Sequence, residues 1–189
     1  MKKILLLLLI CCNLIGYSQT KYDSDKVVCP NDTLCYLKFD MSLLNGMVYN
    51  EFGDIGLFTN GKSIGLHKQW YENGQLKFKG NYIDGMRGGL HRQWYENGQL
   101  WFERNYKDDK LDGLDKGWYE NGQLQWSRNY KDDKLDGLYK KWYKNGRIEV
   151  EANPKDGKSN GVYKYWYENG QLWFKEVYDN GTLMEKKYY

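Results

Sequence analysis

A tryptophan recurs at a fixed interval: Trp70, Trp94, Trp118, Trp142 and Trp166, each 24 residues after the last. Around it one phrase returns, first as Trp70-Tyr71-Glu72-Asn73-Gly74-Gln75-Leu76, next as Trp94-Tyr95-Glu96-Asn97-Gly98-Gln99-Leu100. Self-similarity at a fixed period marks a repeat architecture, in which one small unit stacks on copies of itself. Because 24 is even and strand side chains alternate with period two, every copy should present the same face if the unit is β.

Each regular unit opens on a glycine: Gly65, Gly89, Gly113, Gly137 and Gly161. An aromatic, β-favouring segment follows, as in Gly161-Val162-Tyr163-Lys164-Tyr165-Trp166-Tyr167, and then an Asn-Gly pair. Asn-Gly between two β-favouring runs is a strong local signal for a hairpin. The return segment alternates apolar residues, as in Leu76, Phe78 and Tyr82, and a polar Asp/Gly-rich connection leads to the next glycine. A three-residue loop Glu72-Asn73-Gly74 pairs Trp70 with Leu76; a two-residue loop pairs Tyr71 with Leu76 instead. The first is preferred, because it gathers Leu66, Trp70, Leu76, Phe78 and Tyr82 on one side. His67, Gln69 and Tyr71 then face the other way.

The expected fold is all-β: an elongated, single-layer antiparallel sheet of tandem hairpins, its ten regular strands spanning about 50 Å. Trp70, Trp94, Trp118, Trp142 and Trp166 form a ladder, with Leu76, Leu100, Leu124, Ile148 and Leu172 between them, and this ladder supplies most of the burial. Tyr71, Tyr95, Tyr119, Tyr143 and Tyr167 lie on the second face, at least half exposed. Pro154 lacks a ladder donor and should bend or interrupt the sheet.

Ahead of residues 65–189 stand two other regions. Met1-Lys2-Lys3, an apolar run from Ile4 to Ile15 and the small-residue exit Gly16-Tyr17-Ser18 read as a secretory signal peptide cleaved after Ser18. The run is shorter than the ~20 residues a spanning helix needs. Lipidation at Cys11 or Cys12 is the competing reading, and neither cysteine follows a small residue. Residues 19–64 form a lead-in and a degenerate capping repeat, in which Phe58-Thr59-Asn60-Gly61 aligns with Tyr82-Ile83-Asp84-Gly85. Export leaves Cys29 and Cys35 as an even pair in an oxidising compartment, and a structural disulfide is expected. The protein is therefore expected to be exported, whether periplasmic, cell-surface or extracellular.

The pattern Gly-x-x-x-x-Trp-Tyr-x-Asn-Gly-x-Leu, with a downstream Tyr and an Asp/Gly turn, resembles the MORN-repeat-variant family, often labelled antitoxin-like. The clearest copies begin at Gly89, Gly113 and Gly161, while the unit from Gly137 departs with Lys144, Arg147-Ile148, Val150 and Pro154. What the resemblance implies is a hairpin ribbon for protein or lipid contacts, without an enzyme site. An antitoxin role suits an exported chain only if the toxin is met outside the cytoplasm.

Nothing in the residues argues for catalysis, a cofactor or a metal. His67 and His91 share a repeat position, but lie ~10 Å apart by strand spacing and are read as solvent-facing. Asp108, Asp109 and Asp112, like Asp132, Asp133 and Asp136, lack the spacing of a calcium loop and are read as turn formers. No nucleophile-elbow or nucleotide-binding motif occurs. A net charge of +3, about +1 without Lys2 and Lys3, argues against nucleic acid. A protein partner is expected first, through the Tyr face or a sheet edge. A glycan stacked on regularly spaced rings is the alternative, and lipid ranks third because no basic cluster is evident.

Overall fold

The computed structural model describes residues 20–30 and 34–189. The expected signal peptide, residues 1–18, lies outside them. The main sheet has fourteen strands. It starts with β1 (Lys21–Asp23), β4 (Gly46–Asn50) and β5 (Gly53–Thr59); β2 (Val27–Val28) and β3 (Tyr36–Leu37) form a separate two-stranded hairpin. The repeats supply β6 (Lys62–Trp70), β7 (Leu76–Ile83), β8 (Met86–Trp94), β9 (Leu100–Lys107), β10 (Lys110–Trp118) and β11 (Leu124–Lys131). They continue through β12 (Lys134–Trp142), β13 (Ile148–Ala152), β14 (Gly161–Trp166), β15 (Leu172–Asp179) and β16 (Thr182–Tyr188). From β4 onward every strand pairs antiparallel with its sequence neighbour; only β1 is parallel, against β4.

The two long edges of the sheet use different turns. At the tryptophan edge, Tyr71 N donates to Gln75 O and Gly74 N to Tyr71 O, enclosing the three-residue loop Glu72-Asn73-Gly74 with Gly74 at φ 82. Trp70 accordingly sits opposite Leu76. At the other edge, the two-residue loops Asp84-Gly85, Asp108-Asp109, Asp132-Asp133 and Asn180-Gly181 have both residues at φ between 45 and 92. Those are the left-handed values of a type I′ turn, which Asp, Asn and Gly tolerate best. The aspartates of these connections are thus turn formers.

Beyond each Trp–Leu pair the register slips by one: Trp70 faces Leu76, yet Gln69 faces Phe78. Lys77 is left over, as are Trp101, Gln125, Glu149 and Trp173 in the later units. One extra residue in a strand sends everything after it to the opposite face. Phe78, Gly80 and Tyr82 therefore lie opposite Gln69, His67 and Gly65, away from Leu66 and Trp70. The expectation that all five apolar residues share a face is corrected by this bulge. The tryptophan ladder is likewise only half-buried, and the buried side is the one that carries His67.

At the N-terminal end, Cys35, Leu44, Val48 and Phe58 form a small core with Tyr22, Val27, Leu37 and Ile55 packed on it. Cys29 and Cys35 are joined by a disulfide, and Cys35 N donates to Gly61 O, tying this cap to the turn before β6. At Pro154 the ladder thins: β13 is five residues long and meets β14 at Val150–Tyr165 and Glu151–Lys164 alone.

Two glycines separate conformational from steric demands. Gly89 sits at φ 68 with open space where a Cβ would go; a Cβ on Gly80 would lie 2.5 Å from the His91 ring. Gly89→Ala should cost about 1–2 kcal/mol in urea denaturation, the ordinary cost of a left-handed non-glycine residue. Gly80→Ala should cost more, because the imidazole has to move. A smaller loss at Gly80 than at Gly89 would contradict the placement of the ring.

Candidate functional site

Direct pairing across the strands generates a row on the buried face: His67–Gly80, then His91–Arg104–Asp115–Arg128–Tyr139–Ala152, then Tyr163–Glu176–Lys186. Neighbours along it fit by size or charge. His91 is 2% exposed and its ring occupies the space that Gly80 leaves. Asp115, 1% exposed, accepts from Arg104 Nε at 3.1 Å, Arg128 Nε at 3.0 Å and Trp126 Nε1 at 3.1 Å. A buried carboxylate is tolerated when it is paired and hydrogen-bonded in this way.

The histidines are therefore buried rather than solvent-facing. Their Nε2 atoms lie 3.0 Å from Leu57 O and 2.8 Å from Asn81 O, so each Nε2 carries the proton it donates. His67 packs edge-on between Phe58 and Tyr82, and His91 between Tyr82 and Tyr106. Burial pulls both imidazoles below their ordinary value, against the opposing pull of the carbonyls. Further along, burial alone would raise Glu176; Lys186 and Tyr178 outweigh it and hold the carboxyl below its usual range. A cleft of about 730 Å³ opens beside His67, between the disulfide cap and Phe58, Tyr82 and Arg87. Two of its polar groups are already engaged, Arg87 with Asp109 at 2.7 Å and His67 with the Leu57 carbonyl. Among the described residues no group of three or more His, Cys, Asp or Glu could hold a metal ion.

The tyrosines of the candidate contact face serve first as clamps. Tyr71 Oη donates to Trp94 O at 2.6 Å, Tyr95 to Trp118 O at 2.9 Å, Tyr119 to Trp142 O at 2.8 Å and Tyr143 to Trp166 O at 2.7 Å. Those four rings are half-buried, and Tyr167 is exposed. The open aromatic face expected at these positions is thus largely closed. The asparagines work in parallel: Asn73 Oδ1 accepts from Gln75 N within its own loop, while its Nδ2 donates to Glu96 O of the next.

The opposite, outer face holds a second unbroken row: Lys68, Lys79, Arg92, Glu103, Lys116, Ser127, Lys140, Glu151, Lys164, Lys175 and Lys187, each directly opposite the next. Eight cations against two glutamates leave six net positive charges, in a chain whose whole formal charge is +3. Ten steps at about 4.8 Å make the row about 48 Å long. Arg92 pairs with Glu103, and Lys140 and Lys164 share Glu151, whose carboxyl Lys140 holds below its usual range. Lys68, Lys79, Lys116, Lys175 and Lys187 have no ion pair among the described residues. Beside this row runs another in which Leu66, Leu90 and Leu114 face Asn81, Asn105 and Asn129. Leu66, Leu138 and Val162 are 46–48% exposed.

The expectation that the exposed face lacks a basic cluster is corrected here. Aligning the units would have exposed half the row, since the third residue after each opening glycine is basic in all five: Lys68, Arg92, Lys116, Lys140 and Lys164. The other half sits on return strands, whose facing depends on the bulge.

A sequence model of the family described as MORN repeat variant matches residues 64–84, 87–108, 111–132, 135–156 and 159–180. Each match begins and ends close to the bounds of one hairpin. No curated protein matches the chain.

Tyr119→Phe should lower stability by about 1 kcal/mol by removing one hydroxyl clamp while keeping the ring, measurable by denaturant melts. The histidines predict a pH dependence. Both fold as neutral groups with lowered affinity for protons, so the unfolded chain binds more protons as pH falls below the ordinary histidine value of 6.5. Stability should be complete above that pH and decline below it. In the His67→Gln, His91→Gln double variant the slope of melting temperature against pH in this window should flatten; an unchanged slope would assign it to other groups.

Proposed function

Because the chain belongs to the MORN repeat variant family, we propose that it is an exported, non-enzymatic scaffold that binds protein partners through the outer face of its sheet. MORN repeats generally mediate protein or membrane-lipid contacts and are not typically enzymatic. The observation that carries the reading is the division between the two faces. One side is committed to internal packing around His67, His91 and Asp115, while the other offers a continuous row of charged and aliphatic side chains. Export is supported by the charged head, apolar run and small-residue exit of residues 1–18, and it suits a Cys29–Cys35 disulfide. An antitoxin-like activity is the narrower form of the proposal and requires a toxin that reaches the same compartment.

A specific observation favours a second reading, glycan binding. Trp101 and Trp173 are exposed at bulge positions and lie against Tyr95 and Tyr167, with ring centroids 5.6 Å and 5.1 Å apart. Such pairs make flat apolar platforms of the kind sugar rings stack on.

Immobilised mature protein, incubated with envelope extract from its own source and washed stringently, should retain a small set of proteins. Recovery of background alone would overturn the scaffold reading. In parallel, a tryptophan fluorescence titration with cell-wall glycans should leave the emission unchanged; a saturable change abolished by Trp101→Ala and Trp173→Ala would favour the glycan reading instead.

A further inference from the structure

We infer that the outer face recognises an extended, acidic protein segment with interspersed apolar side chains, laid across the strands along the basic row. This deepens the scaffold reading above and rests on it.

Three features of the face narrow the partner's chemistry. The first is charge. Lys68 and Lys79 stand directly opposite each other at one end of the row, Lys116 follows beyond the Arg92–Glu103 pair, and Lys175 and Lys187 flank the Tyr189 ring at the other end. Within each directly opposed pair, Lys68–Lys79 and Lys175–Lys187, the charges sit one strand spacing of ~4.8 Å apart, so their potentials overlap inside one Debye length of ~8–10 Å. An anionic partner is steered to such a line and away from the turns, where exposed acids line both edges: Asp84, Asp108, Asp109, Asp132, Asp133 and Asp156 at one, and Glu72, Glu96, Glu120 and Glu168 at the other.

The second feature is the neighbouring row. Leu66, Leu138 and Val162 present aliphatic surface two residues from Lys68, Lys140 and Lys164, on the same face of their strands. Asn105 and Asn129 spend their amide nitrogens on the Leu114 and Leu138 carbonyls, which keeps that strip low in free donors. A polyphosphate could satisfy the lysines, but it has no apolar groups for the leucines. A polypeptide that carries both acidic and apolar side chains satisfies the two rows together.

The third feature is twist. Neighbouring strands rotate by roughly 20° relative to each other, so a row that crosses eleven strands winds through a large angle. A planar anionic membrane can meet only a few rungs of it at once. A flexible chain can follow it from end to end, and the long lysine stems absorb the mismatch between strand spacing and the rise of an extended peptide.

The test measures anisotropy of a fluorescein-labelled peptide of Glu residues with interspersed Leu, titrated with the mature protein. Its comparators are a peptide with Ser in place of Leu, inorganic polyphosphate and phosphatidylserine vesicles. The triple variant Lys68→Glu, Lys79→Glu, Lys116→Glu is compared with the edge control Lys107→Glu, Lys134→Glu, Lys155→Glu, which changes net charge equally outside the row. Expected is saturable, salt-sensitive binding of the Glu/Leu peptide, weakened roughly tenfold or more by the row variant and little by the edge control. Equal weakening by both variants, equal affinity for the Ser peptide, or binding of polyphosphate or vesicles in place of peptide would overturn the assignment. If instead envelope partners captured by the wild-type protein are retained by the row variant, the scaffold reading stands and the basic row is not its contact site.

Discussion

The single residue that each return strand carries in excess decides what this protein can be. After every Trp–Leu pair one position is skipped, and the remaining strand turns over. Without that slip, Phe78 and Tyr82 would stand beside Leu66 and Lys68, and each face would carry a mixture of rings and charges. With it, Phe78, Tyr82, the histidines and a buried aspartate fall on one side, and the lysines, leucines and half-buried tryptophans on the other. A one-layer sheet can be amphipathic only if its two strand directions agree on which way is in, and the bulge brings them into agreement.

The buried row shows how a repeat protein tolerates variation inside its core. A glycine stands opposite a histidine near the N-terminal end, an arginine opposite an aspartate in the middle, an alanine opposite a tyrosine beyond. Each site is filled jointly by two residues on adjacent strands, so a change at one is matched within the next strand. Close-packed interiors allow substitutions of this kind when joint volume and charge are conserved. The Pro154 unit is the limiting case, in which pairing contracts to two positions and Gly137 N is satisfied by the Pro154 carbonyl.

Much of this was legible in the sequence. The period, the hairpin unit, the loop that sets Trp70 against Leu76, and the turn-forming aspartates follow from spacing and turn chemistry. The facing of the return strands does not. The extra residue is Lys, Trp, Gln, Glu or Trp in successive units, so nothing in its identity marks it. Reading straight alternation through Lys77 put Phe78 with Trp70 and left His67 in solvent. The basic row was hidden for a related reason. Most of its members are separated by 11 or 13 residues in turn, so no stretch of chain looks basic, and the row exists only once strands are paired. The role of the tyrosines is not legible either, because a hydroxyl's partner 23 residues away, a main-chain carbonyl, carries no sequence signature.

The bonds between repeats all have short range. The tyrosine hydroxyl and the asparagine amide each span 23 residues, from one unit to the one after it. No described link of this type skips a unit. A chain joined in this manner is modular in the genetic sense: a whole period can be duplicated or lost, and the units on either side still find a donor and an acceptor in register. Array length can therefore vary by recombination between near-identical copies without redesign of any core, and the reach of the outer surface changes with it, one hairpin at a time.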